Sequence, residues 1–487
     1  MPLILPGNVA TATASTTYEV ANSCRFNDGD SARLRLTPGS AATSSRKMTA
    51  SFWCKRGSLG ITGRIFNADT GSNQRDSLFF NSDDNLWLYI NNGGDGNLKT
   101  TRVFRDPSAW YHIVLTIDTT QSTNTNRVKL YINGTQETSF QTGGDGIVYP
   151  DQNYDIIGFG QNGKEQTIGA DTSGGNDDNE FDGYLAEFVF IDGLALAPTS
   201  FGEFDEDSPR IWKPIDVSGL TFGTNGFYLD FEASDNLGND ANGGTDWTET
   251  NLAATDQTTD TCTNNFCTCN PLDQTNTGGS SATMAEGNLK WTSAGNTTSQ
   301  SYMRATFGLT AGKWYWEAKM SDSNSGVGFN IGVAGSDANM NAGGSGNMPD
   351  SDPNTLFKNS ASTNSATRKD GSDVTTNLTT VAENQIVQIA LDLDNQKFYA
   401  GVQGTWLNSA DPATGSNAPA TVDANTTYLP AWSDNGYTDQ ITLELNFGNP
   451  SFTGTDKSDG NGYGSFEYEP PSGFLALCTK NLGSDGG

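Results

Sequence analysis

Apolar residues in this chain recur at every second position, in short runs, and almost never at every third or fourth. The cleanest run places Ile441, Leu443, Leu445 and Phe447 on one side and Thr442, Glu444 and Asn446 on the other, because successive side chains of an extended chain point to opposite faces. Met48, Ala50, Phe52 and Cys54 alternate in the same way with Thr49, Ser51, Trp53 and Lys55, and the pattern stops at Arg56-Gly57. Tyr111 to Ile117 is apolar on both faces, as an inner strand requires. Val128, Leu130 and Ile132 alternate with polar neighbours up to Asn133-Gly134, a dipeptide suited to the positive φ angles of a tight hairpin. Strands are also expected at Tyr184 to Ile191, Phe227 to Phe231, Trp314 to Met320, Gly328 to Val333, Val387 to Leu393 and Lys397 to Val402. Helical periodicity is confined to a short turn after Pro198. The pattern predicts an all-β chain of two antiparallel β-sandwiches, of jelly-roll type, in tandem with a strand-containing connector.

At 487 residues the chain exceeds one ordinary core. The expected organisation is an N-terminal arm over 1–19, a sandwich over 20–205, a connector over 206–284, a second sandwich over 285–470 and a tail over 471–487. A loose polar stretch at 160–180 and the Gly/Ser/Asn-rich runs at 335–350 and 359–377 read as loops, the last two long enough to serve as binding surfaces. Residues 1–6 are too short and too proline-bounded for an export signal or a membrane span. The expectation is a soluble protein. With 57 acidic against 27 basic residues the formal net charge is −30, which repels phosphate backbones and anionic membranes. Neither nucleic acid nor membrane insertion is therefore expected.

Catalytic chemistry has little to work with. The chain has one histidine, His112, inside a strand pattern where a structural role is expected. The Glu-x-Asp-x-x-Glu arrangement that puts two carboxylates on one strand face of a glucanase is absent; Glu203-Phe204-Asp205 runs on to Ser208. No enzyme is expected. The six cysteines lack the spacing of a zinc site, and buried thiols come ahead of disulfides in this reading. Trp87, Trp110, Trp212, Trp247, Trp314, Trp316, Trp406 and Trp432 could stack on sugar rings if exposed. Trp247 and Trp406 lie in turn-rich sequence and are the sugar-platform candidates, whereas those in strand patterns are expected in the core. Two acidic loops offer oxygen ligands for Ca²⁺: Asp177, Asp178 and Asp182, and Asp235, Asp240 and Asp246. Neither fits the EF-hand pattern, and solvated turn residues are the plain alternative.

Three blocks in the first half, Trp110 to Asp118, Val128 to Gly134 and Gly183 to Ile191 with Ala195 to Pro198, resemble laminin-G/pentraxin-type concanavalin A-like domains. The run Gly226 to Phe231 followed by Leu237 to Asp240 also resembles the opening strand and loop of such domains, which would pack it onto a sandwich. In the second half, Gly312 to Glu317, Gly328 to Val333, Ile389 to Asp394 and Leu443 to Gly448 resemble SPRY domains, which implies an interaction module without catalytic machinery. The whole arrangement, from Pro2 to Gly7 through Arg25 to Asp30, Trp53 to Gly57 and Asn270 to Asp273, is similar to structural proteins of tailed phages from marine bacteria. That similarity implies a virion surface protein assembled in the host cytoplasm, with other virion proteins as partners and a homo-oligomer, by analogy a trimer. A tail-fibre or receptor-binding role toward host surface glycans comes first; a capsid or tail decoration protein is the alternative, and a glycan-cleaving enzyme the last. Pro2, Leu3, Ile4 and Leu5 would form an assembly arm that adds an edge strand or lies on a neighbour.

Overall fold

The computed structural model describes residues 18–71, 74–144, 146–172, 178–206, 208–276, 281–294, 301–323, 328–338, 353–360, 365–434 and 440–485. The assembly-arm residues Pro2, Leu3, Ile4 and Leu5 and the calcium candidate Asp177 lie outside them, as does most of the 335–350 run. The chain divides into two compact units at Thr263/Asn264.

The first unit runs through β1 (Ser23–Phe26), β2 (Arg33–Leu36), β3 (Lys47–Arg56), β4 (Gly63–Gly71), β5 (Gln74–Phe80), β6 (Asn85–Ile90), β7 (Gly96–Val103), β8 (Trp110–Asp118), β9 (Val128–Ile132), β10 (Thr135–Glu137), β11 (Gln166–Ile168) and β12 (Gly183–Asp192). It continues through β13 (Gly202–Phe204), β14 (Trp212–Pro214), β15 (Phe227–Leu229), β16 (Thr248–Thr250) and β17 (Gln257–Thr258). One sheet has the order β10-β9-β8-β3-β12-β1-β17, with β15 also on β12; its partner sheet has the order β16-β2-β11-β4-β5-β6-β7. Met48, Ala50, Phe52 and Cys54 of β3, Ile113, Leu115 and Ile117 of β8, and Leu78, Leu86, Leu88 and Leu98 of the facing sheet close the core between them. Asn133 and Gly134 join β9 to β10 with φ of 48° and 74°, the two positive angles of a type I′ turn.

Residues 206–263 are not a connector. β15, β16 and β17 complete the two sheets, while Trp212, Val217, Phe222 and Tyr228 cover the outer face of the larger one. That cover explains why both faces of β3 are dry: Trp53 is 4% and Lys55 1% exposed. Lys55 is held there by Asp260 at 2.7 Å, whose other oxygen accepts from Trp110 Nε1 at 3.1 Å. The polar stretch at 160–180 also departs from expectation, since it supplies β11, a three-residue strand between β2 and β4. Three residues are too few for a period to show.

The second unit comprises β18 (Cys269–Asn276), β19 (Thr283–Ala285), β20 (Lys290–Thr292), β21 (Ser301–Ala305), β22 (Lys313–Ser323), β23 (Phe329–Gly335), β24 (Asn354–Lys358), β25 (Ser365–Lys369) and β26 (Ser372–Leu378). β27 (Ile386–Asp392), β28 (Lys397–Val402), β29 (Thr405–Trp406), β30 (Ala420–Thr421), β31 (Tyr428–Asp434), β32 (Ile441–Asn446), β33 (Leu475–Ala476) and the helix α1 (Thr479–Asp485) follow. The sheets β18-β21-β31-β23-β24-β25-β26 and β19-β20-β32-β22-β27-β28-β29 enclose a core rich in tryptophan, with Trp291, Trp314, Trp316 and Trp432 all 0% exposed. Residues 269–285 are strands of this unit and not connector. The run 359–377, read as a loop, is largely the β25–β26 hairpin, turned by Asp370-Gly371 at φ 48° and 78°. Its strands are mostly polar because β26 faces water on both sides, which removes the alternation that marks a half-buried strand. Nor is 471–487 a loose tail: β33 pairs in parallel with β22, and Phe474, Ala476 and Cys478 join Phe466 in covering Tyr315 and Tyr399.

Candidate functional site

The outer face of the smaller sheet in the first unit carries the most unusual side chains left near water. In β6 the inward positions are Leu86, Leu88 and Ile90, which are fully buried; period two then obliges Trp87 and Tyr89 to point outward, and both are half-buried. Phe79 of β5 and Lys99 of β7 stand opposite Trp87, and Ser77 and Asn97 stand opposite Tyr89. The rings form one cluster: Phe79 stacks on Trp87 at 5.4 Å, and Tyr89 meets Trp87 edge-on at 4.8 Å and Phe79 at 5.1 Å. The Lys99 ammonium lies 4.5 Å from the Trp87 ring centre. Trp87 Nε1 donates to Asn97 Oδ1 at 2.5 Å, which fixes the indole.

A charged group borders the rings. The Arg64 guanidinium lies 4.1 Å from the Phe79 centroid, donates to Ser77 Oγ at 2.9 Å and has Asp171 at 3.7 Å. Arg75 forms a close ion pair with the same Asp171, which also accepts from Asn67 Nδ2 at 3.3 Å. Burial, and then the charge of Arg75, lower the Arg64 guanidinium to about 10. Asp69 stands opposite Arg75 across the β4–β5 pair, so arginines and aspartates offset one another. The result is a shelf of aromatic edges flanked by planar polar groups, without a nucleophile and base pair within hydrogen-bond reach.

The residues singled out from sequence are scattered. Trp247 is not a platform: it is 2% exposed, joins the main core and meets Phe227 edge-on at 4.7 Å. The strand β15 that recruits it could not be placed in a sheet from composition alone. Trp406 is half-buried in the second unit, 6.4 Å from Tyr315 and against Gly401, where a Cβ would meet its ring at 3.1 Å. Asp178 is exposed, whereas Asp182 is buried and accepts from Ser58 Oγ at 2.6 Å. Asp235 is exposed; Asp240 accepts from the amides of Tyr228 and Asn242, and Asp246 from Asn236 Nδ2 and the Asp240 amide. Asp182, Asp240 and Asp246 serve as turn braces, and among the described residues no group of three or more His, Cys, Asp or Glu is placed to hold a metal.

His112 has the structural role expected of it. Trp212 Nε1 donates to its Nδ1 at 2.9 Å, so Nε2 carries the proton and donates to Ser51 Oγ at 2.9 Å. Burial lowers its pKa to about 3. The cysteines are free thiols, five buried and Cys262 half-buried. Tyr89, Lys99, Arg75 and Asn97 were not singled out from sequence, although a signal existed: Trp87 and Tyr89 alternate with three aliphatic residues in Leu86 to Ile90. No helix among the described residues is long and apolar enough to cross a membrane.

A laminin-G-type family model, described as the Concanavalin A-like lectin/glucanases superfamily, matches residues 28–198. Comparison with curated proteins finds no match. Among solved structures the chain is similar to the native heptameric SAP-like pentraxin from Limulus polyphemus, with 19% identity and a TM-score of 0.28 over 37% of this chain and 80% of that one. It is similar to the SPRY domain of human HERC1, with 15% identity and a TM-score of 0.26 over 36% of this chain and 96% of that one. A candidate carbohydrate binding protein from Bacteroides ovatus ATCC 8483 shows 16% identity and a TM-score of 0.32 over 48% of this chain and 59% of that one.

Proposed function

We propose that this chain is a non-enzymatic, glycan-binding surface protein of a phage particle, of the tail-fibre or receptor-binding type, and that the sugar docks on the Trp87–Tyr89 face. The observation that carries the reading is the outward aromatic pair itself. A sheet face meant only for solvent has no use for an indole and a phenol braced against a third ring. The match of residues 28–198 to the concanavalin A-like model supports it, because that span contains every residue of the aromatic face. The similarity of the chain's sequence blocks to phage structural proteins supports the virion setting.

Binding follows from the geometry. Phe79 covers one side of the Trp87 indole and Lys99 the other. Phe79 is 3% exposed and fixed, whereas Lys99 ends in a flexible stem. Swinging Lys99 aside costs about 0.5–1 kcal/mol of cation–π attraction at an exposed site, which uncovers a ring face for a sugar. The displaced ammonium and the Arg75 guanidinium then border the sugar hydroxyls, while Asn97, buried and bonded to Trp87 Nε1 and Gly146 O, holds the indole in place. The test is glycan-array and host-adsorption measurement with the full chain and with Trp87→Ala. The expected loss is about tenfold in affinity, roughly 1.4 kcal/mol; unchanged binding by Trp87→Ala would remove the face from consideration, and no binding by the wild-type chain would remove the function.

A further inference from the structure

A second group in the first unit stands apart from the aromatic face. Glu187 occupies the irregularity between Ala186 and Val189 where β12 shifts register against β3. Its φ of 50° is left-handed, a strained setting for a residue with a side chain, of the kind that persists only when its surroundings impose it. Glu187 is 7% exposed. Tyr18 Oη donates to it at 2.9 Å and Tyr228 Oη at 2.8 Å, and the two hydroxyls are 3.1 Å apart. Tyr18 belongs to a strap, residues 18–22, that precedes β1 and forms no strand. The strap is also held by the packing of Val20 and Tyr18 on the cluster of Trp53, Trp110 and Trp212 and by hydrogen bonds between the Val20 backbone and Thr263 Oγ1 at 3.2 and 3.1 Å.

We propose that Glu187 is a pH-operated latch on this strap: its neutral form keeps Tyr18 and Tyr228 seated, and its ionisation lets the strap lift from the sheet. The charged neighbours agree in sign. Asp230 and Glu232 follow β15, Asp216 acts on Tyr18, and at the far end of the unit Cys262 is a neutral thiol while Asp260 is already matched by Lys55. Among the described residues, the charges that weigh most on Glu187 are thus the acidic Asp230 and Glu232. The neutral trio, by contrast, is self-sufficient: the carboxyl can donate as well as accept, and the hydroxyls bond to one another. Burial, reinforced by Asp230 and Glu232 and opposed by the two hydroxyls, raises the carboxyl from 4.5 to about 7 with the strap seated. Lifting the strap returns it to water. A carboxyl raised in the closed state favours that state fully below its free value, and the preference is lost as pH climbs through about 7.

The ratio of seated to lifted strap accordingly falls on the order of 70-fold between about pH 5 and about pH 8. Hydrogen exchange of the full chain, followed by mass spectrometry on the peptide that contains residues 18–22, reads this directly. Dividing wild-type rates by those of Glu187→Gln at each pH cancels the intrinsic chemistry of exchange. The expected result is a ratio that climbs with pH by roughly that factor; a flat ratio overturns the latch. Tyr18→Phe keeps the ring and deletes one of the two donors that stabilise the ionised carboxyl. It should speed exchange more at the alkaline end than at the acid end, and an equal effect at both ends also overturns the proposal. The latch is independent of glycan binding at Trp87.

Discussion

Replacing Trp247 separates a core tryptophan from a sugar platform more sharply than any other substitution. In the structure the indole fills the first unit's core against Phe227, with its Nε1 buried and lacking a hydrogen-bond partner. Trp247→Ala removes a whole aromatic side chain from a packed interior, a change that costs about 3–5 kcal/mol. It also removes the unpaired N–H, which offsets roughly 1–2 kcal/mol of that loss. The net expectation is about 1–4 kcal/mol, or ~2–16 °C in the melting temperature of a unit this size. Trp247→Phe keeps most of the volume and removes only the N–H, so its stability should stay within about 1 kcal/mol of wild type. Thermal and urea unfolding of the full chain, followed by near-ultraviolet circular dichroism, reads both, with glycan binding measured below the transition. Equal destabilisation by the two variants would refute the reasoning, as would a Trp247→Ala protein of unchanged stability that has lost its sugar.

Other outcomes follow from neighbouring sites. His112 is neutral when folded, with a pKa of about 3 against an ordinary 6.5; the unfolded chain therefore binds the extra proton as pH falls, and stability should drop by about 3 kcal/mol between ~pH 7 and ~pH 4. Denaturant titrations across that range should show the slope, and His112→Gln should flatten it. At Gly134, where φ is 74°, a Cβ would lie 2.3 Å from the Trp212 ring, so Gly134→Ala should lower the free energy of unfolding measured by urea titration by about 2–4 kcal/mol through turn strain and overpacking. Thiol titration with an aromatic disulfide should find all six cysteines in denaturant and, in the native protein, only a slow reaction at the half-buried Cys262.

How far the fold could be read depended on how each strand is wetted. Strands with one dry face and one wet face announce themselves, and the run at Ile441 to Phe447 became β32 with its four apolar residues fully buried. Asn133-Gly134 announced its hairpin for the same local reason. What stayed hidden depends on partners distant in sequence. β16 and β17 are three- and two-residue strands whose identity comes from β2 and β1, and no window around Thr248 or Gln257 contains that information. β26 failed in the opposite way, being wet on both faces, although its Asp370-Gly371 turn was written in the chain. The aromatic face was partly legible: Trp87 was among the tryptophans considered, but its outward side is decided by Leu86, Leu88 and Ile90 entering the core. Trp247 misled because turn-rich sequence does not imply exposure when the turn is folded back over a sheet.

The late strands of the first unit also govern when that unit can form at all. Cys24 pairs with Gln257, Arg35 with Thr248 and Phe190 with Phe227, so the sheets stay unfinished until nearly the last residue of the unit has been synthesised. Contacts closed over such separations are slow to form, on the order of milliseconds to seconds even for small β-domains. A nascent chain halted near the end of β12 would present Tyr184, Ala186, Val189 and Ile191 to water, together with the open edges of β1 and β2, the kind of surface that captures other chains. Residues 206–263 therefore close the faces and edges that the strands made before them leave open.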